Sequence, residues 1–200
     1  MRRIAAGFTV DVSGSHSRTG RAGGGHRRRA AFGRGLPRRQ ACPGFPSFGS
    51  ERTGAPVVSF CRIDDKEIRL REPILEPDAL IVQDPTLLKA IDVFQGLRPE
   101  GYLLVNTNKP LADLDIAAVL AKLPAGHARA VPATEFALRC VGRPLPNAAL
   151  LGAFAALSGL VHLHSVAAAI REAFPGNVGE ANVAAATAAY DAIVSTAAAA

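Results

Sequence analysis

The hydrophobic pattern of the chain becomes regular only after about residue 45. Residues 56–63 form an apolar run rich in β-branched side chains, Asp64 and Asp65 follow, and residues 66–70 alternate between polar and apolar. Alternation on both sides of a polar turn is typical of a β-hairpin with one face in solvent. The pattern therefore predicts a hairpin near the start of the ordered chain.

Downstream, short apolar runs alternate with longer helical patterns. Residues 79–83, 101–106 and 128–132 have the length and composition of buried strands. Helices are predicted over residues 86–94, 114–123, 134–140, 147–157, 166–174 and 180–194, with Asp84, Thr134, Asn147 and Ser165 placed as N-caps. Alternating strands and helices predict an α/β fold. We expect a largely parallel or mixed sheet with flanking helices, a β-hairpin near its start and a helical C-terminal part.

Residues 1–44 lack any such period. The stretch GGGHRRRAAFGRGLPRRQ, residues 23–40, is rich in Gly and Arg and has no acid. Residues 1–50 contain ten Arg and a single acidic residue, whereas residues 51–200 contain 13 Lys plus Arg and 16 Asp plus Glu. The basic character thus belongs to the N-terminal quarter alone, which could be a nucleic-acid-binding arm, a targeting peptide or a segment never selected as protein. We expect residues 1–44 to be disordered.

Cysteine usage gives no indication of a metal or disulfide framework. Cys42, Cys61 and Cys140 are odd in number, widely spaced and without a C-x-x-C pair. This usage predicts a reducing, cytoplasmic compartment and a chain that holds no metal or iron–sulfur cluster itself. His162 and His164 lack a third ligand nearby in the sequence, so a turn or surface role is favoured over a metal site. No apolar run is long enough to span a bilayer, and we expect neither a membrane partner nor a nucleic-acid partner.

One loop combines residue types suited to ligand binding. The stretch FPSFGSERTG, residues 45–54, precedes the first apolar run. Its glycines permit a ligand to approach the backbone, and Arg52 offers a planar fork for carboxylate or phosphate. The alternative is a structured loop closed by an ion pair between Glu51 and Arg52. The candidate ligand-binding residues are Ser47, Gly49, Ser50, Glu51, Arg52, Thr53 and Gly54.

Polar residues also stand just past the ends of the predicted strands. Asp84, Asn106 and Thr134 occupy these positions, where open α/β sheets bind ligands. Helix capping is the favoured explanation for each. We find no Ser/His/Asp set, paired-carboxylate site or metal cluster in the sequence, so the chain alone is not expected to be catalytic.

Several stretches together resemble a known family. They are FPSFGSERTGAPVVSFCRIDDKEIRLREP, PDALIVQDPTLL, GYLLVNTN, VPATEFA, GRPLPNAALLGAFAALSGLV and VGEANVAAATAAY, in order from residue 45 to 190. They resemble the gamma subunits of 2-oxoacid:ferredoxin oxidoreductases, of which the pyruvate and ketoisovalerate enzymes are examples. The resemblance covers roughly three-quarters of the chain.

The resemblance implies a role within an assembly. In this family, alpha and beta subunits bind thiamine diphosphate and Mg and decarboxylate the 2-oxoacid, and a delta subunit carries [4Fe-4S] clusters that reduce ferredoxin. The product is an acyl-CoA, and the gamma subunit is implicated in holding coenzyme A. The residues 47–54 are accordingly a candidate coenzyme A or subunit-facing loop. Pyruvate is the first expected substrate, with phenylglyoxylate, 2-oxoglutarate and indolepyruvate as alternatives, and a ligand-free interaction subunit is the alternative role.

The N-terminal quarter departs from the family. Members carry a strand, a Gly-rich turn and a helix near their start, of the type V-R-I-H-G-R-G-G-Q-G-V-V-T-A-A-E-L-L. Back-translation of GGHRRR, residues 24–29, read one base later can spell Val-Val-Thr-Ala-Ala-Glu, and residues 18–23 can give Gly-Arg-Gly-Gly-Gln-Gly. Our hypothesis is that residues 12–44 are a frameshifted reading of that motif. The expected domains are residues 1–44, disordered or frameshifted, 45–195, the gamma-type α/β domain, and 196–200, an Ala tail.

Overall fold

The computed structural model describes residues 4–9, 40–41, 45–47, 58–64 and 73–198. These residues form a seven-stranded mixed sheet with helices on its faces. The strands are β1 (Ile4–Thr9), β2 (Gln40–Ala41), β3 (Phe45–Ser47), β4 (Val58–Asp64), β5 (Ala79–Val82), β6 (Tyr102–Asn106) and β7 (Ala128–Val131). The fold class expected from the sequence is confirmed.

The sheet has a parallel half and an antiparallel half. The strand order is β2-β4-β1-β5-β6-β7, and β3 pairs with the same side of β4 as β2 does. Strands β1, β5, β6 and β7 run parallel, whereas β4 runs antiparallel to β1, β2 and β3. The parallel strands therefore end at one edge of the sheet, which we call the carboxyl edge.

Alternation along the strands separates two cores. On one face, Ile81 and Leu104 belong to a large core with the C-terminal helices. On the other face, Val82 and Val105 belong to a smaller core with Ile116. Side chains of neighbouring residues in a strand point to opposite faces, so the apolar runs at β5 and β6 serve both cores at once. This is why these strands read as continuous apolar runs rather than alternating ones.

Helices of different length cover the two faces. The smaller core is covered by α1 (Leu87–Ala90), a 3-10 turn (Leu111–Leu114) and α2 (Ala117–Leu120); the larger core is covered by α3 (Ala133–Val141), α4 (Asn147–Ser158), α5 (Leu163–Ala173) and α6 (Asn177–Ala198). No helix within the described residues, including the 22-residue α6, has the length and hydropathy to cross a membrane.

Most predicted elements occur, with changes in extent. The strands predicted at residues 79–83, 101–106 and 128–132 are confirmed as β5, β6 and β7. The helices predicted over residues 86–94 and 114–123 are shorter in the structure. Val93, Phe94 and Leu123 gave the apolar spacing of longer helices, but they reach the smaller core from turns outside α1 and α2. The last helix is longer, since α6 continues to Ala198 through most of the expected Ala tail. Of the predicted hairpin, β4 is present, and residues 66–70 lie outside the described residues.

None of the four proposed residues occupies an N-cap position, and the cap position of α1 is Thr86 rather than Asp84. The cap position of α3 is Pro132 and that of α4 is Pro146, while Ser165 lies inside α5. Proline has no side-chain hydrogen-bonding group, so neither cap residue bonds the first turn of its own helix. Thr134 is therefore the second residue of α3 rather than its cap.

The N-terminal segment contributes strands that the sequence did not predict. Ile4–Thr9 forms β1, which lies between β4 and β5 and pairs with both. Gln40–Ala41 adds a short bridge to β4. Strands thus occur at residues 4–9 and 40–41, within the segment for which we expected disorder. The remainder of residues 1–44 lies outside the described part of the chain, and the domain boundary at residue 45 remains a prediction.

Candidate functional site

The candidate site is the carboxyl edge of the parallel strands. Strands β5, β6 and β7 end there in register, with Val82 opposite Val105 and Asn106 opposite Val131. The chain then continues into Gln83, Thr107 and Pro132. Polar groups that follow these strand ends border the apolar core, at the position where open α/β sheets bind ligands.

Asn106 connects the ends of three elements at this edge. Its side chain is only 8% exposed. Asn106 Nδ2 donates to the Gln83 backbone carbonyl at 2.8 Å and to Thr134 Oγ1 at 2.8 Å. Its Oδ1 accepts from the Thr134 backbone N–H at 3.1 Å. Asn106 therefore fixes the start of α3 relative to the ends of β5 and β6, and it caps α3 from a distant part of the sequence by accepting a first-turn N–H.

Asp84 has a local role. Its Oδ1 accepts from the Thr86 backbone N–H at 2.9 Å and from the Thr86 hydroxyl at 2.7 Å. This arrangement organises the turn that leads into α1, since Asp side chains readily bond the backbone two residues later. Asp84 therefore stabilises the turn before α1 rather than the helix itself, which begins at Leu87.

Gln83 was not singled out from the sequence. Its Oε1 is buried and has no hydrogen-bond partner among the described residues. A polar residue at the end of an apolar run looks like an ordinary strand terminus, so the sequence gives no signal for it. Buried carbonyl oxygens are nearly always hydrogen-bonded, so this one calls for an explanation.

Of the candidate loop, only its first residue falls in the described part of the chain. The backbone register places Ser47 opposite Val58, and Val58 opposite Thr9. Thr9 is the last residue of β1, so β3 ends and β4 begins at the carboxyl edge. The candidate residues Gly49, Ser50, Glu51, Arg52, Thr53 and Gly54 lie outside the described residues.

The histidine pair lies at the start of α5. The rings of His162 and His164 stack with centroids 5.4 Å apart, and Ser165 Oγ lies 3.2 Å from His164 Nε2. Among the described residues, no group of three His, Cys, Asp or Glu side chains could hold a metal ion.

The sequence profile of the pyruvate ferredoxin/flavodoxin oxidoreductase family matches residues 36–192. The chain belongs to this family. Within the pyruvate ferredoxin/flavodoxin oxidoreductases it is a gamma-type subunit, as the resemblance implied. It is 47% identical over 147 residues to the pyruvate/ketoisovalerate oxidoreductases common subunit gamma of Pyrococcus furiosus, covering 74% of this chain and 78% of the relative.

Solved structures of this oxidoreductase family have the same fold. The PORC subunit of pyruvate oxidoreductase from Thermotoga maritima is 28% identical, with a TM-score of 0.64 over 94% of both chains. A 2-oxoglutarate:ferredoxin oxidoreductase from Magnetococcus marinus, solved with 2-oxoglutarate, coenzyme A and succinyl-CoA, gives a TM-score of 0.55. That likeness, at 13% identity over 99% of this chain and 31% of the other, concerns the fold alone.

Proposed function

We propose that this gamma subunit acts in a thiamine-diphosphate-dependent complex that oxidises a 2-oxoacid such as pyruvate to an acyl-CoA. In this reaction the bond between the carboxylate and carbonyl carbons breaks and CO₂ leaves. Two electrons pass to two ferredoxins, and the acyl carbon forms a bond to the coenzyme A sulfur as the thiol proton is released. Membership of the oxidoreductase family supports this assignment.

The part we assign to this chain is to bind and orient coenzyme A at the carboxyl edge. The observation that carries the proposal is the strand register. Ser47 pairs with Val58, and Val58 pairs with Thr9, so β3 ends and β4 begins at the edge where Asn106 joins three elements. Within the loop, Gly49 and Gly54 would permit close approach of the ligand, and Arg52 would pair with a phosphate or with a partner carboxylate.

The other groups of the complex belong to its other subunits in this proposal. Alpha and beta subunits would hold thiamine diphosphate and Mg, and a delta subunit would hold the [4Fe-4S] clusters that reduce ferredoxin. Thiamine diphosphate supplies the carbanion chemistry when it is bound. Substrate choice then lies with the thiamine-binding subunits, so phenylglyoxylate, 2-oxoglutarate or indolepyruvate could replace pyruvate. The complex is proposed to be cytoplasmic.

We further propose that residues 12–44 are a frameshifted reading of the family's Gly-rich turn and helix. The family profile begins only at residue 36, and the back-translated codons of residues 18–29 fit the motif in the next frame. A Gly-rich turn followed by a helix suits a phosphate-bearing ligand. Sequencing the coding DNA across residues 10–46 tests this directly, since codons that do not spell the family motif when read one base later would refute it.

The functional test is co-expression of the chain with its alpha, beta and delta partners, in the present and the frame-restored versions. We expect the frame-restored complex to assemble, to support coenzyme A-dependent oxidation and to bind coenzyme A, with binding measured by calorimetry. The present version should assemble poorly, bind coenzyme A weakly and have low activity. Arg52→Gln should weaken coenzyme A binding about tenfold. Arg143→Gln, an exposed arginine after α3, serves as the matched control.

A second role is an interaction subunit without a ligand of its own. In that case the restored complex assembles, but a photoreactive coenzyme A analogue labels only the other subunits. Full activity of the present version would instead show that the Gly-rich turn is dispensable, and the site assignment would fail.

A further inference from the structure

The strand β7 forms one end of the sheet. Its only strand neighbour among the described residues is β6, with which Ala128–Val131 pairs in parallel. A strand at the end of a sheet leaves a row of backbone N–H and C=O groups without a strand partner, and such a row can pair with a strand of another chain. The groups that face outward from β7 therefore decide whether a second chain can extend the sheet.

The hydrogen bonds to β6 show which residues of β7 face outward. The Leu103 N–H donates at 2.8 Å to the carbonyl of His127, the residue just before β7. In a parallel pair, alternate residues of a strand turn both of their backbone groups to the same neighbour. The odd-numbered residues of β7 therefore face β6, and the backbone groups of Ala128 and Ala130 point away from it.

Arg129 closes one of these outward positions with its own side chain. Its Nη1 donates to the Ala128 carbonyl at 3.2 Å. A Cβ on Gly126, in the turn before β7, would lie 3.8 Å from Arg129 Nη2. The guanidinium thus lies along the edge between Gly126 and Ala128. It occupies the place that the backbone N–H of an added strand would take, because that N–H would donate to the same carbonyl from about 2.9 Å.

The guanidinium of Arg129 has no other partner among the described residues. Its one hydrogen bond is to Ala128, and none of the carboxylates in the described part of the chain pairs with it. The side chain is half-buried. Ion pairing within the described residues therefore does not explain why an arginine occupies the middle of this short edge strand.

The charge of Arg129 adds a second obstacle to pairing between two copies. If two β7 strands paired antiparallel about a two-fold axis, Ala128 of each would bond Ala130 of the other, because these residues carry the outward groups. Arg129 would then lie directly opposite Arg129 of the second copy, with the two Cα atoms about 4.5 Å apart. Like charges placed directly opposite one another destabilise a strand pair.

We propose that Arg129 guards the free edge of β7 and keeps it from pairing with β7 of a second copy of this chain. Because β7 has only two outward residues, Ala128 and Ala130, covering the carbonyl of one leaves too few backbone groups to hold another strand. A subunit that is not yet assembled is thereby kept from forming strand-paired dimers. This role does not depend on coenzyme A.

The test compares the self-association of the purified full chain and its variants by sedimentation velocity. Arg129→Val removes the guanidinium and keeps a residue that favours strands. We expect it to form dimers at a protein concentration about tenfold lower than wild type requires. Arg129→Thr should give the same result, whereas Arg129→Lys keeps a cation at the edge and should behave as wild type. Arg143→Val is the matched control, at an exposed arginine outside the sheet, and should leave association unchanged.

A second change shows whether the association uses β7. Adding Ala130→Pro to Arg129→Val removes an outward N–H that the strand pair needs, while the bonds to β6 remain. The double variant should return to the association of wild type, and Ala130→Pro alone should keep the circular dichroism spectrum of wild type. In Arg129→Val, the amides of Ala128 and Ala130 should also exchange with solvent more slowly as the protein concentration is raised.

The outcomes that contradict the proposal are distinct. If Arg129→Val and Arg129→Thr are folded and associate no more than wild type, the edge needs no guard. If the association survives Ala130→Pro and the exchange of the Ala128 and Ala130 amides does not change with concentration, the contact lies on another surface. If Arg129→Val does not self-associate but assembles less well with co-expressed partner subunits, Arg129 pairs with a partner carboxylate instead.

Discussion

Gly152 of α4 packs directly against the backbone of Ala186 in α6, so that a Cβ on Gly152 would overlap the Ala186 carbonyl oxygen. Small residues surround this crossing, since Ala149, Ala153 and Ala189 are also fully buried. The absence of larger side chains lets the two helix axes approach closely. The larger core thus depends on one glycine at the centre of a helix.

Gly152→Ala should therefore destabilise the protein in spite of the higher helix propensity of alanine. We expect a loss of about 3 kcal/mol in the free energy of unfolding, because backbone atoms on both sides must move apart. The measurement is urea unfolding followed by circular dichroism. Gly159→Ala is the control, because the added methyl group would meet open space. The strain of an alanine at a φ of +62° should lower the free energy of unfolding by only about 1 kcal/mol. Equal losses for the two variants would contradict the packing explanation.

Asn106→Asp should destabilise the carboxyl edge. The variant loses both N–H donors and places a buried carboxylate oxygen against the Gln83 carbonyl, which can only accept, although the Thr134 hydroxyl can turn to donate. We expect about 3 kcal/mol to be lost from the free energy of unfolding, measured by chemical denaturation at pH 7. The same change at exposed Asn108 should cost about 0.5 kcal/mol. Similar values at both sites would mean that Asn106 does not connect the strand ends.

The ion pair between Arg171 and Glu180 gives a pH dependence with a definite sign. Two hydrogen bonds, of 2.6 and 3.0 Å, hold the pKa of Glu180 below its ordinary value of 4.5. A carboxyl with a lowered pKa in the folded state adds stability above pH 4.5, and this is lost as the pH falls through the folded value. Because both side chains are exposed, the effect on stability is small.

Arg171→Gln should consequently raise the pKa of Glu180 toward 4.5, as measured by NMR titration of its carboxyl carbon. Arg143→Gln, at an exposed arginine that does not bond Glu180, should leave that titration unchanged. A Glu180 titration that is identical in wild type and Arg171→Gln would show that the pair does not persist in solution.

The purified chain alone should bind no iron and oxidise no 2-oxoacid. Among the described residues, Cys61 is buried in β4 and Cys140 lies in α3, and no set of three metal-ligating side chains occurs. Reconstitution with iron and sulfide followed by metal analysis provides the measurement, with the co-expressed complex as positive control. Stoichiometric iron on the isolated chain would refute this expectation.

The sequence predicted the parallel strands well because burial on both faces gives β5, β6 and β7 their continuous apolar runs. It overestimated the helices after β5 and β6, since side chains such as Phe94 reach the core from turns with the same spacing that a helix would give. It could not identify Gln83, whose unpaired oxygen depends on which groups tertiary packing brings near it. β1 was missed because the Arg- and Gly-rich residues after it dominated the pattern.

The central position of β1 has a consequence for the order of folding. Ala6 pairs with Cys61 and with Ala79, so both neighbours of this strand are distant in sequence, whereas β5, β6 and β7 follow one another. Loop closure over such distances is entropically costly and slow. We expect amides of β5–β7 to gain protection before those of β1 in pulsed hydrogen exchange during refolding. Until β1 docks, the free side of β5 is open to pairing with strands of other chains. The amount of aggregation during folding should therefore depend on how fast β1 docks.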